Sequence, residues 1–539
     1  MGLPRQGRFL VDGGEASLRA GRILRPAMNQ PAASPTGTPK AAAPASRVEA
    51  LPLAVDLDGT LLLTDTLFEA VADQMRTRPF WTLAQLIQLP FGIATVKARL
   101  QRGADLDVAT LPANLAVVAY CREAKASGRA LCLASAADQS TVDALAARFG
   151  FFDTAIGSDG TINNKSGAKA KRLQEMFPGG FEYIGDSPAD MKVWLAGKTA
   201  SIVGHTAARR KALEQNGVRV EREFERRHEP PASRFKTWRK ALRLHQWTKN
   251  ALIFLAPLLA MKISAAPLIT CLIAFPLLGM MASGTYILND LLDLKADRGH
   301  HSKHKRPFAS GSIKLWQGFV AAPLLVLTGL IGGALLSPPF AVTMMTYLVI
   351  TLSYSLLLKR TPLVDAMLLG FLYTLRLIMG GVLTGTPLTQ WLLVFSMFLF
   401  VSLSLAKRHV EVVRKAAAGE SRIANRGYRA EDAPLTLGLG LATATASPVI
   451  LVLYLIDSAL PSRLYTAPDA LWAAPLVLSL WLMRVWLLAN RGELDDDPVT
   501  FAIKDPPSLM LGVFLGAAFL FAAFGPPEGF GFLRLGGAP

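Results

Sequence analysis

Two carboxylates separated by a single residue, Asp56 and Asp58, stand at the end of the short apolar run 51–57. Such a run has the composition of a buried strand. A carboxylate at the end of a strand can attack a phosphoryl group and form an aspartyl-phosphate. A second carboxylate two residues later lies on the same side and can protonate the leaving oxygen. An isolated pair of acids is more often a turn or a helix cap, so this chemistry requires further partners in the chain.

Two such partners, Asp186 and Asp190, follow the short apolar run 181–184. Together with Asp56 and Asp58 they would supply a set of oxygen ligands, which is the kind of set that Mg²⁺ prefers. The sequence therefore predicts a magnesium site to which all four carboxylates contribute.

A hydroxyl and an ammonium group complete this candidate site. Ser135 ends the apolar run 130–135, and Lys169 precedes the run 181–184, with Lys165 close by as an alternative. Short apolar runs that alternate with helical patterns indicate a parallel α/β sheet, and such sheets bind ligands beyond the carboxyl ends of their strands. We expect Ser135 and Lys169 to hold phosphate oxygens there.

The ordered set of DLDGT, a serine at a strand end, a lysine and GDSPAD resembles the haloacid dehalogenase superfamily over about residues 50–200. The resemblance implies an α/β Rossmann-like phosphatase domain with a small helical cap over 66–115. Because every key residue type is present, we expect an active phosphatase. The roles implied by the resemblance are nucleophile for Asp56, acid/base for Asp58, phosphate binding for Ser135 and Lys169, Mg²⁺ binding for Asp186 and support for Asp190.

The second half of the chain has the composition of a membrane protein. Hydrophobic residues make up 51% of the 539 residues, and they are unevenly distributed, because 1–235 has a soluble composition whereas 250–525 consists mostly of long apolar runs. A helix needs roughly 20 residues to cross a bilayer. About nine candidate spans lie near 249–262, 267–288, 316–336, 340–357, 364–384, 391–405, 437–457, 470–489 and 508–524.

The net charge of +17 is explained by the same topology. Lys and Arg collect in the cytoplasmic loops of membrane proteins. If residue 245 is cytoplasmic and nine spans alternate, the outside loops contain only Lys262 and Arg463, which favours an inside N-terminus and an outside C-terminus. Because no nucleic-acid-binding module occurs in the sequence, we expect no nucleic-acid partner.

Acidic residues cluster at the end of the second predicted span. Asn289, Asp290, Asp293 and Asp297 share one face of a helix. Acids at a membrane boundary are costly unless something neutralises them, and Mg²⁺ bridging a diphosphate is a natural partner. A solvated loop and a zinc site from His300, His301 and His304 are the weaker alternatives. Donors for phosphate follow directly in the sequence: Lys303, Lys305 and Arg306.

This NDxxDxxxD motif, followed by Arg306-Pro307 and Gly311, resembles the UbiA superfamily of intramembrane transferases over about residues 240–525. The resemblance implies an all-α nine-helix transmembrane bundle that moves a prenyl group from a prenyl diphosphate, with Mg²⁺ held by two Asp-rich motifs. The second motif is missing here, because the loop after the sixth span reads AKRHVE. The chain therefore looks more like the decaprenyl-phosphate phosphoribosyltransferase branch, in which a lipid phosphate is the acceptor and phosphoribosyl diphosphate is the donor.

Further polar residues are candidates for binding a second, lipid-borne phosphate. Arg376 lies inside the fifth span, and an intramembrane arginine is a functional candidate by default, with a helix-pairing salt bridge as the alternative. The other candidates are Tyr354, Lys359, Lys407, Arg408 and Glu411.

The fusion joins a reaction that makes a phosphomonoester to a domain that cleaves one. We therefore expect Mg²⁺-dependent transfer of 5-phosphoribose from phosphoribosyl diphosphate to a polyprenyl phosphate, followed by removal of the 5-phosphate by the N-terminal domain. Both sites would face the cytoplasm at a bacterial inner membrane. The alternatives are a prenyltransferase acting on a small acceptor, and a transporter or scaffold with a tethered phosphatase.

The composition divides the chain into five segments. We expect a disordered N-terminal extension over 1–50, the phosphatase domain over 51–204, a basic juxtamembrane linker over 205–248, the membrane domain over 249–525 and a C-terminal tail over 526–539. The three cysteines form no CxxC pair, so we expect neither a disulfide framework nor a zinc site.

Overall fold

A computed structural model describes the chain from residue 51 to residue 526. Seven short stretches within this range are not described: 89–91, 160–161, 205–206, 226–230, 301, 420–426 and 495–497. The expected N-terminal extension, nearly all of the expected tail and His301 lie outside the described residues. The described part consists of an N-terminal α/β region followed by a helical region, as the sequence predicted.

The N-terminal region is built on a six-stranded parallel sheet with the order β3-β2-β1-β4-β5-β6. Parallel neighbours require crossover connections, which helices supply here. The strands are β1 (Leu53–Val55), β2 (Leu131–Asp138), β3 (Thr154–Ser158), β4 (Glu182–Gly185), β5 (Thr199–Val203) and β6 (Arg219–Phe224).

The central strand β1 determines where the polar residues meet. All of its residues are fully buried, as expected for a parallel strand that is covered on both faces. Val55 pairs with Leu133 of β2 on one side and with Ile184 of β4 on the other. Asp56 after β1 and Asp186 after β4 therefore lie at the same edge of the sheet.

Three helices inserted after β1, called the cap helices (α1–α3) from here on, fall within the predicted cap at 66–115. Asp65 begins α1, because its carboxylate accepts the backbone N–H groups of Leu67 and Phe68. The helices of this region are α1 (Thr66–Thr77), α2 (Pro79–Ile87), α3 (Ile93–Arg102), α4 (Leu115–Ala126), α5 (Gln139–Phe149), α6 (Gly167–Met176), α7 (Met191–Ala196) and α8 (Ala207–Gln215).

The sheet continues beyond residue 204, where the sequence placed the end of the domain. Strand β6 pairs with β5 in parallel, so α8 and β6 lie within the segment expected to be a basic linker. Most side chains of β6 are exposed, and Phe224 is its buried residue. An edge strand of this kind carries charged residues in place of an apolar run, which explains why the sequence pattern favours a basic helix.

The helical region contains eight helices, among the residues described, that are long and apolar enough to cross a membrane. The chain is thus a multi-pass membrane protein. These helices are α11 (Ala265–Leu292), α13 (Leu315–Leu336), α14 (Pro338–Leu356), α15 (Val364–Thr384), α16 (Gln390–Ala417), α17 (Ala433–Tyr454), α18 (Ala473–Asn490) and α20 (Pro506–Phe524). Shorter helices accompany them: α9 (Pro231–Ala241), α10 (Leu255–Leu259), α12 (Leu294–Arg298) and α19 (Pro498–Lys504).

The first of the nine expected spans, 249–262, is not a continuous membrane helix. A 3₁₀ helix over Leu244–Phe254 is followed by the short α10, and both pack against α15. Pro257 has no N–H to offer the carbonyl of Ile253, so a continuous α-helix would lack a hydrogen bond at this point. The apolar residues of this segment pack inside the bundle, but the prediction that they form one regular helix was wrong.

This broken segment nevertheless reaches from one end of the bundle to the other. At its start Arg243 forms an ion pair with Asp290, near the end of α11. At its end the Lys262 ammonium donates to the carbonyls of Thr384 and Gly385, at the far end of α15. The helical rises involved give a length of about 30 Å, which is close to the thickness of a bilayer core.

The α/β region and the bundle share an apolar contact. Helix α1 packs against α11 and α13, and the rings of Phe68 and Phe319 stack with centroids 5.9 Å apart. Gly311, with a φ of +72°, approaches Leu63 so closely that a Cβ at this position would lie 2.9 Å from the Leu63 Cβ. Helix α1 of the cap is therefore docked where α11 ends and α13 begins.

Candidate active sites

Three carboxylates meet at the carboxyl edge of the sheet. Asp56 follows β1, Asp186 follows β4, and Asp190 ends a short 3₁₀ turn over Pro188–Asp190. One oxygen from each lies within 4.8 Å of the other two, and all three side chains are buried. This donor set consists entirely of carboxylate oxygens, which fits Mg²⁺.

Lys169 of α6 is the cation of this cluster. Its ammonium lies 2.6 Å from Asp56 Oδ1 and 3.8 Å from Asp190 Oδ1, and only 4% of the side chain is exposed. Lys165, the alternative considered from the sequence, is exposed. The structure therefore brings Lys169, as expected, beside the predicted nucleophile.

Asp190 is held in place by groups that the sequence analysis did not identify. The Tyr183 hydroxyl accepts from Lys169 at 2.9 Å and donates to Asp190 Oδ1 at 2.8 Å. The other carboxylate oxygen accepts the backbone N–H and the hydroxyl of Ser187 at 3.0 and 2.8 Å. Tyr183 alternates with buried apolar residues in β4, so the sequence offers no signal that separates it from the core.

Asp58 is positioned by the first cap helix and lies outside the group of three carboxylates. Its oxygens accept the backbone N–H of Thr66 at 2.8 Å and the Thr66 hydroxyl at 3.2 Å. Gln101 of α3 donates in turn to that hydroxyl at 3.1 Å. The position of Asp58 therefore depends on the cap helices.

Ser135 lies in β2, the strand beside β1, and is almost fully buried. Its hydroxyl oxygen accepts the N–H of Ala137 at 3.1 Å, and its carbonyl accepts from Asn164 at 3.0 Å. The structure places Ser135 at the expected edge of the sheet. Its hydroxyl makes no direct hydrogen bond to the three carboxylates in the described part of the chain.

Burial governs the protonation of this site. It raises the pKa of Asp56 to about 7, even though the nearby Lys169 ammonium opposes the shift. Burial likewise raises the pKa of Asp58 well above its ordinary value, with the Asp65 carboxylate adding to the shift. A carboxylic acid that keeps its proton near neutral pH is suited to donate that proton to a leaving oxygen.

The second cluster of acids lies where α11 ends and α12 begins. Arg306 donates from one nitrogen to Asp290 at 3.0 Å and to Asp297 at 2.7 Å. Asp290 also pairs with Arg243, and Asp293 accepts from Lys359 at 2.9 and 3.0 Å. Each of the three acids therefore faces a cation.

Among these cations, Arg306 and Lys359 were predicted and Arg243 was not. Arg243 lies within the segment expected to be a linker, far from the motif in sequence. The remaining predicted residues lie close to the motif. Asn289 accepts the Asp293 N–H through its carbonyl at 3.0 Å, the Lys305 carbonyl accepts from Lys240 at 2.9 Å, and Lys303 is partly buried.

Arg376 lies in the interior of the bundle with 4% of its surface exposed. It donates to Asn250 Oδ1 at 3.2 Å, to the Leu372 carbonyl at 2.7 Å and to the Tyr347 hydroxyl at 2.7 Å. Its guanidinium also lies 5.4 Å from the ring centre of Tyr373. No ion pair to a carboxylate is present for Arg376 among the described residues, so its charge is balanced only by dipoles and aromatic rings.

Arg408 has a different environment. It donates to Asp365 at 2.5 Å, to Glu411 at 2.7 Å and to the Tyr354 hydroxyl at 3.3 Å. Tyr428 donates to the other oxygen of Asp365 at 2.7 Å. Arg408, Glu411 and Tyr354, all expected to bind substrate, thus bind one another and join α14, α15 and α16, while Lys407 lies partly buried beside them.

Comparison with known proteins identifies a family for the membrane region. Residues 251–505 match the UbiA prenyltransferase family. This range extends from the broken first segment to α19 and contains the whole acidic motif. The match and the geometry therefore concern the same part of the chain.

Three relatives illustrate how far the similarity extends. The uncharacterized protein y4nM of Sinorhizobium fredii is 41% identical over 474 residues, 88% of this chain and 91% of that protein. Nodulation protein NoeC of Azorhizobium caulinodans is 31% identical and covers 53% of this chain and 94% of that protein. The decaprenyl-phosphate phosphoribosyltransferase of Mycobacterium tuberculosis is 34% identical over 189 residues, 34% of this chain and 63% of that protein.

Two solved structures show weak similarity to parts of this chain. A protein of unknown function from Bordetella pertussis covers 31% of this chain and 96% of its own, with 16% identity and a TM-score of 0.25. A UbiA homolog from Archaeoglobus fulgidus bound to GPP and Mg²⁺ covers 53% of this chain and all of its own, with 14% identity and a TM-score of 0.39. At these TM-scores neither likeness bears on the chemistry.

The family match over the bundle agrees with the acidic motif at the end of α11 and with the eight apolar helices. The C-terminal membrane region of this chain belongs to the UbiA prenyltransferase family.

Proposed function

We propose that the membrane domain transfers 5-phosphoribose from phosphoribosyl diphosphate to a polyprenyl phosphate, and that the N-terminal domain then removes the 5-phosphate. One observation carries the choice of substrates: in the described part of the bundle the acidic motif is accompanied by Arg376, a buried cation that pairs with no described carboxylate. One motif suffices for one diphosphate, and the additional cations suit a second phosphate on the lipid. The similarity to decaprenyl-phosphate phosphoribosyltransferases supports the same donor and acceptor.

The donor would bind at Asp290, Asp293 and Asp297. Mg²⁺ held by these carboxylates would neutralise the charge of the departing diphosphate. Arg306 and Lys359, which now pair with the acids, would then be released to donate to diphosphate oxygens. A phosphate oxygen of the lipid attacks C1 of the ribose, and the bond from C1 to the diphosphate breaks.

The acceptor phosphate would bind at Arg376. A buried guanidinium without a carboxylate partner is expensive unless an anion is bound during function. Lys249 lies 5.6 Å from the ring centre of Tyr373, the same ring that Arg376 approaches. Two cations that share one aromatic ring are well placed to hold one lipid phosphate.

The 5-phosphate of the product would be removed at the N-terminal site. Asp56 attacks the phosphorus, and Asp58 donates its proton to the ribose oxygen as that oxygen leaves. Lys169 would balance part of the charge on the phosphoryl group, and Asp186 and Asp190 would hold the Mg²⁺ that neutralises the rest. Asp58 then takes a proton from the water that hydrolyses the aspartyl-phosphate, which restores the starting state.

Both sites would face the cytoplasm at the inner membrane of a bacterium. The Asp-rich end of α11 lies on the side that collects Lys and Arg, and the cap helices dock on that same end of the bundle. A lipid-linked monoester produced at one site would therefore be released next to the other.

The test uses membranes that contain the full chain, Mg²⁺, polyprenyl phosphate and phosphoribosyl diphosphate labelled in the ribose. Label should enter the lipid phase. The Asp56→Asn variant should accumulate a lipid that still carries the 5-phosphate, whereas Asp143→Asn, an equivalent change at an exposed acid of α5, should behave like the unmodified chain. Fully dephosphorylated lipid from Asp56→Asn would refute the coupling of the two sites.

The alternatives give different outcomes. Consumption of a prenyl diphosphate without incorporation of ribose label would identify a prenyltransferase, the activity named by the family. Asp290→Asn should abolish formation of any labelled lipid while the protein stays folded. Continued formation of that lipid would show that the acidic motif is not the transfer site.

A further inference from the structure

The second cap helix, α2, has its polar and apolar faces reversed. Thr82 and Gln85 are buried at 0% and 7% exposure, whereas Phe80 and Ile87 are exposed at 87% and 74%. Leu83 lies on the same outer face at 47%. A surface helix of a water-soluble domain normally turns its apolar side inward.

The buried polar residues are satisfied within the cap. The Thr82 hydroxyl donates to the carbonyl of Arg78 at 2.9 Å, and the Gln85 side-chain oxygen accepts from Arg99 at 3.5 Å. The Gln85–Arg99 contact joins the polar face of α2 to α3, whereas the Thr82 bond lies within the first turn of α2. Phe80, Leu83 and Ile87 are left on the outer face.

Helix α2 shares an apolar cluster with a membrane helix. Leu86 of α2 belongs to the same apolar cluster as Phe319 of α13. Phe319 lies four residues after the start of α13 at Leu315, or about 6 Å along the helix axis. The neighbouring Trp316 and Val320 are exposed on the outside of the bundle, where α13 would contact lipid.

Charged and aromatic residues at the edge of this face fit a membrane surface. Arg78 and Arg99 are exposed beside α2, and Trp81 lies on its outer side. Interfacial helices combine an apolar face with basic residues that attract anionic headgroups, and tryptophan is enriched at the level of the headgroups.

We propose that α2 lies in the cytoplasmic leaflet of the bilayer, with Phe80, Leu83 and Ile87 among the upper acyl chains. The cap is then fixed at the depth where a lipid-linked substrate carries its head group. This placement is independent of the reaction. Its consequence, that the phosphatase site acts on a substrate that stays in the membrane, rests on the proposed function.

The placement can be measured in lipid nanodiscs with variants of the full chain that each carry one introduced cysteine. The native Cys121, Cys132 and Cys271 are buried, so a cysteine introduced by Leu83→Cys or Ile87→Cys can be labelled selectively with a polarity-sensitive fluorophore. Lipids that carry a nitroxide in the upper acyl chain should quench these labels at least about twofold. A label at Lys171→Cys, on the exposed face of α6, should not be quenched.

Equal quenching at all three positions, or none at Leu83 and Ile87, overturns the proposal. Blue-shifted emission that nitroxide lipids fail to quench means that a protein covers this face, which also overturns it. These readouts require no enzymatic activity, so a failure of the proposed reaction leaves the result interpretable. As a second measurement, Ile87→Asp should be combined with the label at Leu83→Cys. The added charge should reduce quenching of that label by nitroxide lipids, and unchanged quenching would count against the proposal.

Discussion

The carboxylate of Glu69 in α1 accepts two hydrogen bonds from the guanidinium of Arg298, the last residue of α12, and only 4% and 6% of these side chains are exposed. Arg298 directly follows Asp297 of the membrane motif. Glu69 lies three residues after Thr66, which holds Asp58. This buried pair therefore connects the two candidate sites through a few residues on each side.

Loss of the Glu69 carboxylate should weaken the docking of the cap on the bundle. Glu69→Ala leaves Arg298 buried without a counter-charge, and breaking a buried pair in this way costs about 3–5 kcal/mol. We expect a clear fall in the midpoint of thermal unfolding of the full chain in detergent, measured by intrinsic fluorescence.

An exposed pair across the same boundary provides the control. Asp105 pairs with Lys295, and the Asp105 side chain is 82% exposed, so Asp105→Ala should leave the midpoint unchanged. The double variant Glu69→Ala with Arg298→Met should recover much of the loss, because it removes the unpaired charge. Equal midpoints for Glu69→Ala and Asp105→Ala would show that the buried pair does not stabilise the contact.

The Mg²⁺ requirement of the proposed phosphatase site should depend on pH. Burial raises the pKa of Asp56 to about 7 in the metal-free protein, and Mg²⁺ binds the carboxylate form. As the pH falls through this range Asp56 takes up a proton, and Mg²⁺ must displace it. The Mg²⁺ concentration for half-maximal cleavage of a soluble phosphomonoester should therefore rise toward about tenfold per pH unit below about pH 7.

The same measurement above about pH 7 should show little change, because Asp56 is already ionised there. A half-activating Mg²⁺ concentration that stays constant on both sides of neutrality would mean that Asp56 is not a metal ligand. The activity of the membrane domain should be followed in parallel by label transfer to lipid, since it uses different acids.

The convergence of Asp56 and Asp186 could be anticipated because each directly follows a strand, and parallel strands end at a common edge. Asp190 lies in the 3₁₀ turn just after Asp186, close enough in sequence to join them. The Glu69–Arg298 pair could not be anticipated, because its partners are separated by 229 residues and neither belongs to a motif. The break in the first segment could not be predicted either, because hydropathy indicates whether residues are buried and not whether they form a regular helix. These contacts depend on how two separately patterned regions dock.

Arg408 and Arg376 should respond differently to replacement, although both are buried arginines predicted to bind substrate. Arg408→Met removes the guanidinium that neutralises the fully buried Asp365, so it should destabilise the protein by about 3–5 kcal/mol. Arg376→Met leaves no carboxylate unpaired in the described structure. It should instead raise the KM for polyprenyl phosphate while the unfolding midpoint changes little.

The two variants are matched in chemistry and in burial, so each is the control for the other. Thermal unfolding and the KM for each substrate should be measured on both proteins. An unfolding midpoint that falls equally in the two would assign Arg376 a structural role. A KM for phosphoribosyl diphosphate that rises in Arg376→Met, with the KM for lipid unchanged, would place the donor at this arginine.

Removal of Arg306 should lower both the Mg²⁺ concentration that the membrane site requires and the rate of transfer. Arg306 bridges Asp290 and Asp297 and so competes with Mg²⁺ for both acids, which means that Arg306→Met should lower the half-activating Mg²⁺ concentration for transfer. The same change removes a donor to the diphosphate, and the loss of a partner at a metal site typically lowers activity about 10–100-fold. Arg463→Met, the same replacement at an exposed residue, should alter neither quantity in the label-transfer assay. A higher Mg²⁺ requirement in Arg306→Met would show that Arg306 organises the acids for the metal and does not compete with it.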